Sequence, residues 1–272
     1  MESWRERPVL VAPGPFKGTL RAAEVAGAIG RGLERAGLAP PDLCPLAGGG
    51  SGTLEALLLA LGGETVGADV HDALGRPLPA AFGLIEDGGT AVLEPVGTSS
   101  YGTAELICAA VAAGVRVVLL AARDAATTDD GALAAIEAHG GLRGAQIVVL
   151  TGRQGPAGSL GEALRAHGAL FEQGIPWILG ALGFDTRMRA ARAVVTGEGR
   201  LDAHTLEGRL VGEIGTRTRQ AGVPLHAVVG SDALDGFGKR IIDLQLVLEA
   251  SGLEQIEAAG EALGRALADG SA

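Results

Sequence analysis

Lysine is nearly absent from this chain of 272 residues: Lys17 and Lys239 are the only two. The other basic residues are arginines, so a single arginine is weak grounds for a chemical role. Basic residues number 22 against 32 acidic ones, giving a formal net charge of −10. No Lys/Arg block interrupts that balance, which argues against nucleic acid or an anionic membrane as a partner. Aromatic residues make up only 3%, so any core must be aliphatic. Cysteine is scarce as well. Cys44 and Cys108 lie in apolar surroundings without a C-x-x-C pattern, as expected of buried thiols in a reducing compartment. The longest apolar run, Ile107 to Ala122, is broken by Gly114 and Arg116 and is no membrane span. No basic-then-apolar signal segment is visible, and a soluble cytoplasmic protein is expected. A Walker A loop is also lacking, since no glycine run ends in Gly-Lys-Ser/Thr.

Aliphatic residues and glycine are what the chain has in abundance. Hydrophobic residues make up 47%, enough for a sizeable core, and the 45 glycines are scattered between periodic segments without a fixed repeat. Val9 to Ala12 reads as a first strand. Pro13 to Gly18 is a turn, and Thr19 can cap a helix carrying Val25, Ile29 and Leu33 on one face. A short strand near Leu43 to Leu46 leads into a glycine run, Ala47 to Thr53. Leu54, Leu57, Leu58 and Leu61 then mark an amphipathic helix. From Gly63 to Pro95 the pattern alternates, as in strands joined by hairpins. Helix 105–113, strand 115–121, a helix ending at His139, strand 146–150, helix 159–170 and helix 175–182 follow. Strands 193–195, 224–230 and 244–248 and a closing helical stripe from Leu253 to Leu267 complete the series. Strands alternating with helices predict an α/β fold with a largely parallel sheet.

Three stretches carry groups suited to chemistry. Thr196-Gly-Glu-Gly-Arg-Leu-Asp202 is a turn between a strand and the helical stripe Leu206, Leu210, Ile214. It presents Glu198, Arg200 and Asp202 at a strand's carboxyl end, where ligands bind in open α/β sheets. Two carboxylates and a guanidinium there suit a metal ion and a phosphate. The same residues also fit a glycine turn with solvated charges and Thr205 as N-cap. The glycine run with Gly49 and Gly50 enters a helix, a geometry that offers N–H groups to phosphate, and it equally fits a plain loop. Asp129, beside Asp130, suits either a helix N-terminus or a ligand.

Taken together, the motifs resemble the bacterial glycerate kinases. Ala12-Pro-Gly-Pro-Phe-Lys-Gly18 is similar to that family's A-P-D-S-F-K-G, and Pro45 to Thr53 to P-V-A-D-G-G-E-G-T. Thr98 to Ile107 resembles T-T-S-x-G-T-G-E-L-I, and Ala126 to Gly131 stands where the family has A-T-N-D-G-G. Thr196 to Asp202 matches T-G-E-G-R-L-D outright, and His204 to Arg209 continues Q-T-x-x-G-K. The matches stay collinear from Val9 to Ser231. The resemblance implies a two-domain α/β fold, a Rossmann-like parallel sheet with a second, smaller α/β domain, and an active site in the cleft between them. The boundaries expected are 1–62 with 184–272 for the first domain and 63–183 for the second.

The reaction implied is phosphoryl transfer from Mg–ATP to a hydroxyl of D-glycerate, with ATP and Mg²⁺ as cofactors. By resemblance Lys17, Asp129 and Asp202 are the catalytic candidates, and Glu198 and Asp202 the metal ligands. Gly49, Gly50, Ser99, Ser100, Thr103, Arg200 and Arg209 are the candidates for binding substrate or phosphate. The partner implied is a small molecule, glycerate or a related hydroxy acid, and a homodimer is allowed. The departures from the pattern matter equally. Gly14, Gly48 and Ser51 stand where the family has acids, and Pro15 stands for a serine. Arg123-Asp124-Ala125 replaces Gly-Gly-Ser. A Lys-containing glycine-rich loop is missing between Leu150 and Ala157. Two readings stay open: a working kinase, or an impaired or inactive member that binds a small acid or nucleotide or serves as an interaction protein.

Overall fold

A computed structural model describes residues 7–270 except 17, 87, 124 and 153–157. The chain divides into two units, one of residues 1–47 and 178–272, the other of residues 48–177.

The first unit is built on a fully parallel five-stranded sheet. Its strands are β1 (Val9–Pro13), β2 (Asp42–Leu43), β9 (Ala193–Glu198), β10 (Leu225–Val229) and β11 (Leu244–Glu249), in the order β11-β10-β9-β1-β2. The three central strands are covered on both faces, so they read as continuous aliphatic runs. On one face pack α1 (Ala22–Arg35) and α10 (Leu253–Asp269), with Val25, Ile29, Leu33, Ile256 and Leu263 in the core. The two helices approach closely because glycine lies between them. A Cβ on Gly32 would come within 2.1 Å of the Glu257 carbonyl oxygen, and one on Gly260 within 2.6 Å of that of Ile29. Against the other face lie α8 (Leu210–Ala221) and α9 (Gly236–Ile241), around Leu201, Val211 and Ile242. The short α7 (Phe184–Ala190) precedes β9.

The second unit has a six-stranded sheet in the order β3-β4-β5-β6-β7-β8. The strands β3 (Glu64–His71), β4 (Pro77–Ile85) and β5 (Thr90–Leu93) form an antiparallel meander, the expected hairpins. From β5 onward, β6 (Val117–Ala121), β7 (Gln146–Thr151) and β8 (Leu170–Gln173) run parallel. Helices α3 (Ser100–Ala112), α4 (Ala132–Ala138) and α5 (Ser159–Ala166) pack over one aliphatic core with Ile107, Leu120, Ile136, Val149 and Leu164. Helix α2 (Thr53–Leu61) belongs to this unit, earlier in the chain than the change to alternation at Gly63. Its Leu54 and Leu58 lie over β4, where a Cβ on Gly83 would meet Leu54 at 2.5 Å. Helix α6 (Gly174–Ala181) spans the division.

Some local expectations are corrected. The helix expected over 159–170 ends at Ala166, because Gly168 takes φ +77°, and Leu170 opens β8 instead. Thr19 does not cap α1: its hydroxyl donates to the Phe16 carbonyl, and Glu24 accepts from the Arg21 amide at 2.9 Å instead. The stripe Leu206, Leu210, Ile214 is not one helix. Residues 203–207 form a 3-10 turn closed by Gly208 at φ +85°, and α8 starts afterwards. Cys44 and Cys108 are buried free thiols, and burial pushes the Cys44 thiol up to about 11. Among the described residues no helix is long and apolar enough to cross a membrane.

Candidate active-site loops

In the first unit the turn after β9 is held by its backbone. Thr196 is buried and donates to the Ala12 carbonyl at 2.9 Å. Gly197 has no room for a side chain, since a Cβ would lie 2.4 Å from the Val228 carbonyl oxygen. The Gly230 amide donates to the Glu198 carbonyl, Leu201 N–H to the Ser231 carbonyl and Ala233 N–H to the Leu201 carbonyl, at 3.1, 2.9 and 2.8 Å. Leu201 itself is buried. The main chain thus carries much of the fastening of the turn that displays the charged side chains.

Those side chains form a connected set. The Thr205 hydroxyl donates to Glu198 Oε1 at 2.6 Å, and the Asp202 amide donates to Thr205 Oγ1 at 3.3 Å. Thr205 is therefore a strut between Glu198 and Asp202 and not the N-cap of α8. Asp202 caps the 3-10 turn, accepting from His204 N–H, and pairs with Arg200 Nε, both at 3.0 Å. Such burial as the Asp202 carboxyl has favours its neutral form. The His204 amide and the Arg200 guanidinium outweigh it, and the group sits below the usual carboxylate range. The side chain of Arg200 is 67% exposed, and Arg209 is exposed at the N-cap of α8. Sequence reasoning missed Asp232 and Lys239. Asp232 stands beside Leu201 in an isolated parallel bridge and forms an ion pair with Lys239 of α9. The rarity of lysine was the signal that could have drawn attention to Lys239. Lys17 lies outside the described residues.

In the second unit Asp129 follows β6 in the chain and reaches the N-terminus of α3. It accepts from Ser100 N–H, from Ser99 Oγ at 3.2 Å and from Tyr101 N–H at 3.4 Å. Burial of Asp129 acts upward, but these donors prevail and hold its carboxyl below the usual range. Ser99, Ser100 and Thr103 are buried, at 1%, 0% and 0% exposure. Ser99 caps α3 by accepting from Gly102 N–H, Ser100 donates to the Asp129 carbonyl, and Thr103 donates to the Ser99 carbonyl. Their hydroxyls are engaged internally.

The glycine run is committed in the same way. Gly49 and Gly50 are buried. Gly49 has φ +87°, and a Cβ on it would lie 2.7 Å from the Cα of Gly174. The N–H groups at the start of α2, which a phosphate would need, already face a carboxylate. Glu94, just after β5, accepts from Leu54 N–H at 3.0 Å, and the nearby amides of Gly52 and Thr53 also favour its ionised form. Burial pushes the Glu94 carboxyl up even though these amides act the other way. Two positions where acids were expected by resemblance are crowded by other groups. A Cβ on Gly14 would meet a methyl of Leu210 at 2.9 Å, and one on Gly48 would meet Arg123 Nη1 at 2.8 Å. Another pair that sequence reasoning missed is His71 with the buried Glu105, Nδ1 to Oε1 at 3.0 Å.

Comparison with known proteins agrees with the motif order. The model of the glycerate kinase family matches residues 9–146 and 142–240. A glycerate kinase of Bacillus subtilis (strain 168) is 27% identical over 84% of this chain and 86% of its own length. The glycerate 2-kinase of Escherichia coli (strain K12) is 34% identical over 46% of this chain and 37% of its own. A crystal structure from Salmonella typhimurium LT2, provisionally described as glycerate kinase 2, shares the fold with a TM-score of 0.77. It is 22% identical and covers 97% of this chain and 99% of its own. By the extent of the family match, this chain belongs to the glycerate kinase family.

Proposed function

We propose that the protein transfers a phosphoryl group from Mg–ATP to a hydroxyl of D-glycerate, with the turn after β9 as the centre of the chemistry. The observation that carries this reading is the Glu198–Thr205–Asp202 network, two carboxylates braced on one backbone-pinned turn beside Arg200. Phosphoryl transfer asks the protein mainly for positioning and charge stabilisation. Magnesium is commonly held by one or two carboxylates together with substrate phosphates and water. Among the described residues no group of three or more His, Cys, Asp or Glu could hold a metal. A pair of carboxylates fits an ion that brings phosphate and water with it, and Glu198 and Asp202 are the residues to hold it. The ion would neutralise charge on the polyphosphate. Arg200 and Arg209 supply cations for phosphate oxygens. Asp129, kept ionised by its donors, is suited to accept a hydrogen bond from a substrate hydroxyl and is too weak a base to take its proton. Lys17 completes the catalytic set by resemblance.

A second reading, a family member without turnover, is favoured by the crowding at positions 14 and 48 and by Glu94 at the start of α2. A coupled assay of ADP release with D-glycerate and Mg–ATP, joined to calorimetry with ATP, separates the two. Turnover establishes the kinase. Nucleotide binding without turnover supports the second reading, and the absence of both removes the kinase reading altogether.

A further inference from the structure

The first unit has a second concentration of positive charge, at the edge of its sheet opposite the β9 turn. A cavity of about 260 Å³ lies there, where β1, β9 and β10 begin. Its described wall includes Arg7, Arg189, Arg192 and the turn 221–224, and no described lining residue is acidic. A strand rises about 3.3 Å per residue, so the length of β9 sets the cavity roughly 15–20 Å from Glu198.

Arg192 is the built-in part of the wall. It is 5% exposed, its amide donates to the Pro8 carbonyl at 3.0 Å, and its Nη2 donates to the Leu267 carbonyl near the end of α10 at 2.7 Å. Arg189 reaches the Asp185 carbonyl at 3.3 Å. Helices α7, α8 and α10 all end at this edge, and helix C-termini attract cations. Each terminus carries only roughly half an elementary charge, less than the full charge of a guanidinium such as that of Arg189 in the last turn of α7. The neighbouring arginines of the same helices are treated differently. Arg187 on α7 pairs with Asp42, and Arg217 on α8 pairs with Asp185 and Glu213. Arg7 and Arg189 form no ion pair with a carboxylate among the described residues.

We infer that this cavity binds a compact oxyanion, namely phosphate or the phosphoryl group of a small monoester, at a site separate from the β9 turn. Guanidinium groups present forked donors that match phosphate oxygens. The volume lies below the roughly 300–1,000 Å³ of pockets that take drug-sized ligands, so a nucleotide is too large. The inference does not depend on kinase activity.

Calorimetry on the full chain at constant ionic strength tests it, with potassium phosphate and glycerol 3-phosphate as probes and potassium chloride as control. Saturable binding is expected, together with a rise in melting temperature, since a ligand of the native state stabilises it. Arg200→Ala and Asp202→Asn should retain that binding. The double variant Arg7→Glu/Arg189→Glu should weaken it by at least about tenfold, since it reverses the charges that pair with the anion. Both residues are exposed, and circular dichroism checks that the variant is folded. Binding of phosphate alone assigns the site to the free anion, and binding of the ester alone assigns it to phosphomonoesters. No saturable heat up to about 10 mM of either probe, or binding that Arg200→Ala abolishes while the double variant keeps it, would overturn the proposal.

Discussion

The turn after β9 and the Asp129 loop after β6 stand out by the same sign, acids near the carboxyl end of a parallel strand, and they use those acids differently. Around β9 the main chain does the fastening, through Gly197, Leu201, Gly230 and Ala233. The Arg200 side chain remains 67% exposed and that of Asp202 18%. Around Asp129 the side chains do the fastening. The carboxylate ties down the first amides of α3, and Ser99, Ser100 and Thr103 close the remaining bonds. In the reading proposed, Asp129 has both to fasten its loop and to meet a substrate hydroxyl, whereas the turn after β9 leaves much of its fastening to the main chain.

The largest expected effect falls on the first of these regions. Asp202→Asn should lower turnover by at least about 10²-fold, the scale of losing one preorganised charged group. Asn is as good an N-cap as Asp, so the 3-10 turn should survive and the melting temperature should stay within a few degrees. Steady-state kinetics beside thermal unfolding measures both. Turnover close to that of the unaltered protein would remove Asp202 from the chemistry and leave the turn a structural one.

Acid should separate the two units by the groups that respond. His226 on β10 is fully buried, with neither ring nitrogen hydrogen-bonded, and burial alone lowers its pKa from 6.5 to about 4. A folded-state pKa below the unfolded value means the native state resists protonation. The contribution is therefore whole above pH 6.5 and is lost as pH falls toward 4, on the order of 3 kcal/mol by linkage. His226→Leu should remove that slope and raise stability at every pH, since it deletes two unsatisfied polar atoms from an aliphatic core. Urea titrations from pH 7 to pH 4 would show it, and identical slopes for the two proteins would refute it. Asp129 acts lower on the scale. Its depressed pKa makes its contribution present above the ordinary 3.8 and lost as pH falls below that value. Asp129→Ala should cost about 1–2 kcal/mol at neutral pH, as for a lost helix cap, with hydrogen exchange quickening first at the start of α3. Lost activity with unchanged stability would break the contrast between the regions.

How much of this was legible beforehand follows from the range of the interactions. The parallel strands, the hairpins of 64–85 and the strand and turn around 193–202 are written in local periodicity and turn residues, and the structure bears them out. The first residue of β8, Leu170, falls inside the expected helix because it continues an apolar spacing that Gly168 interrupts. The pairs Glu94 with Leu54, His71 with Glu105, and Asp232 with Lys239 join residues on different elements. No local pattern marks such contacts. The same holds for Ser99, Ser100 and Thr103. Their residue types suit substrate binding, and only the structure shows that they are buried with their hydroxyls hydrogen-bonded inside the unit.

The smallest expected effect concerns a position where resemblance leads one to look for an acid. Gly48→Asp restores a carboxylate to the glycine run, and no positive φ stands in its way at this residue. The new Cβ would meet Arg123 Nη1 at 2.8 Å, the far end of a flexible side chain that already donates to the Gly48 carbonyl. Opposite charges at that separation should pair with each other in preference to capturing an ion. Stability should change by less than about 1 kcal/mol, as for other partly exposed ion pairs. Magnesium affinity should not improve, and the same substitution combined with Arg123→Ala should bind magnesium more tightly than either single variant. Titration calorimetry with MgCl₂ on the three variants measures this directly. A gain from Gly48→Asp alone would mean that Arg123 yields readily and that this loop keeps its charges as available as the turn after β9 does.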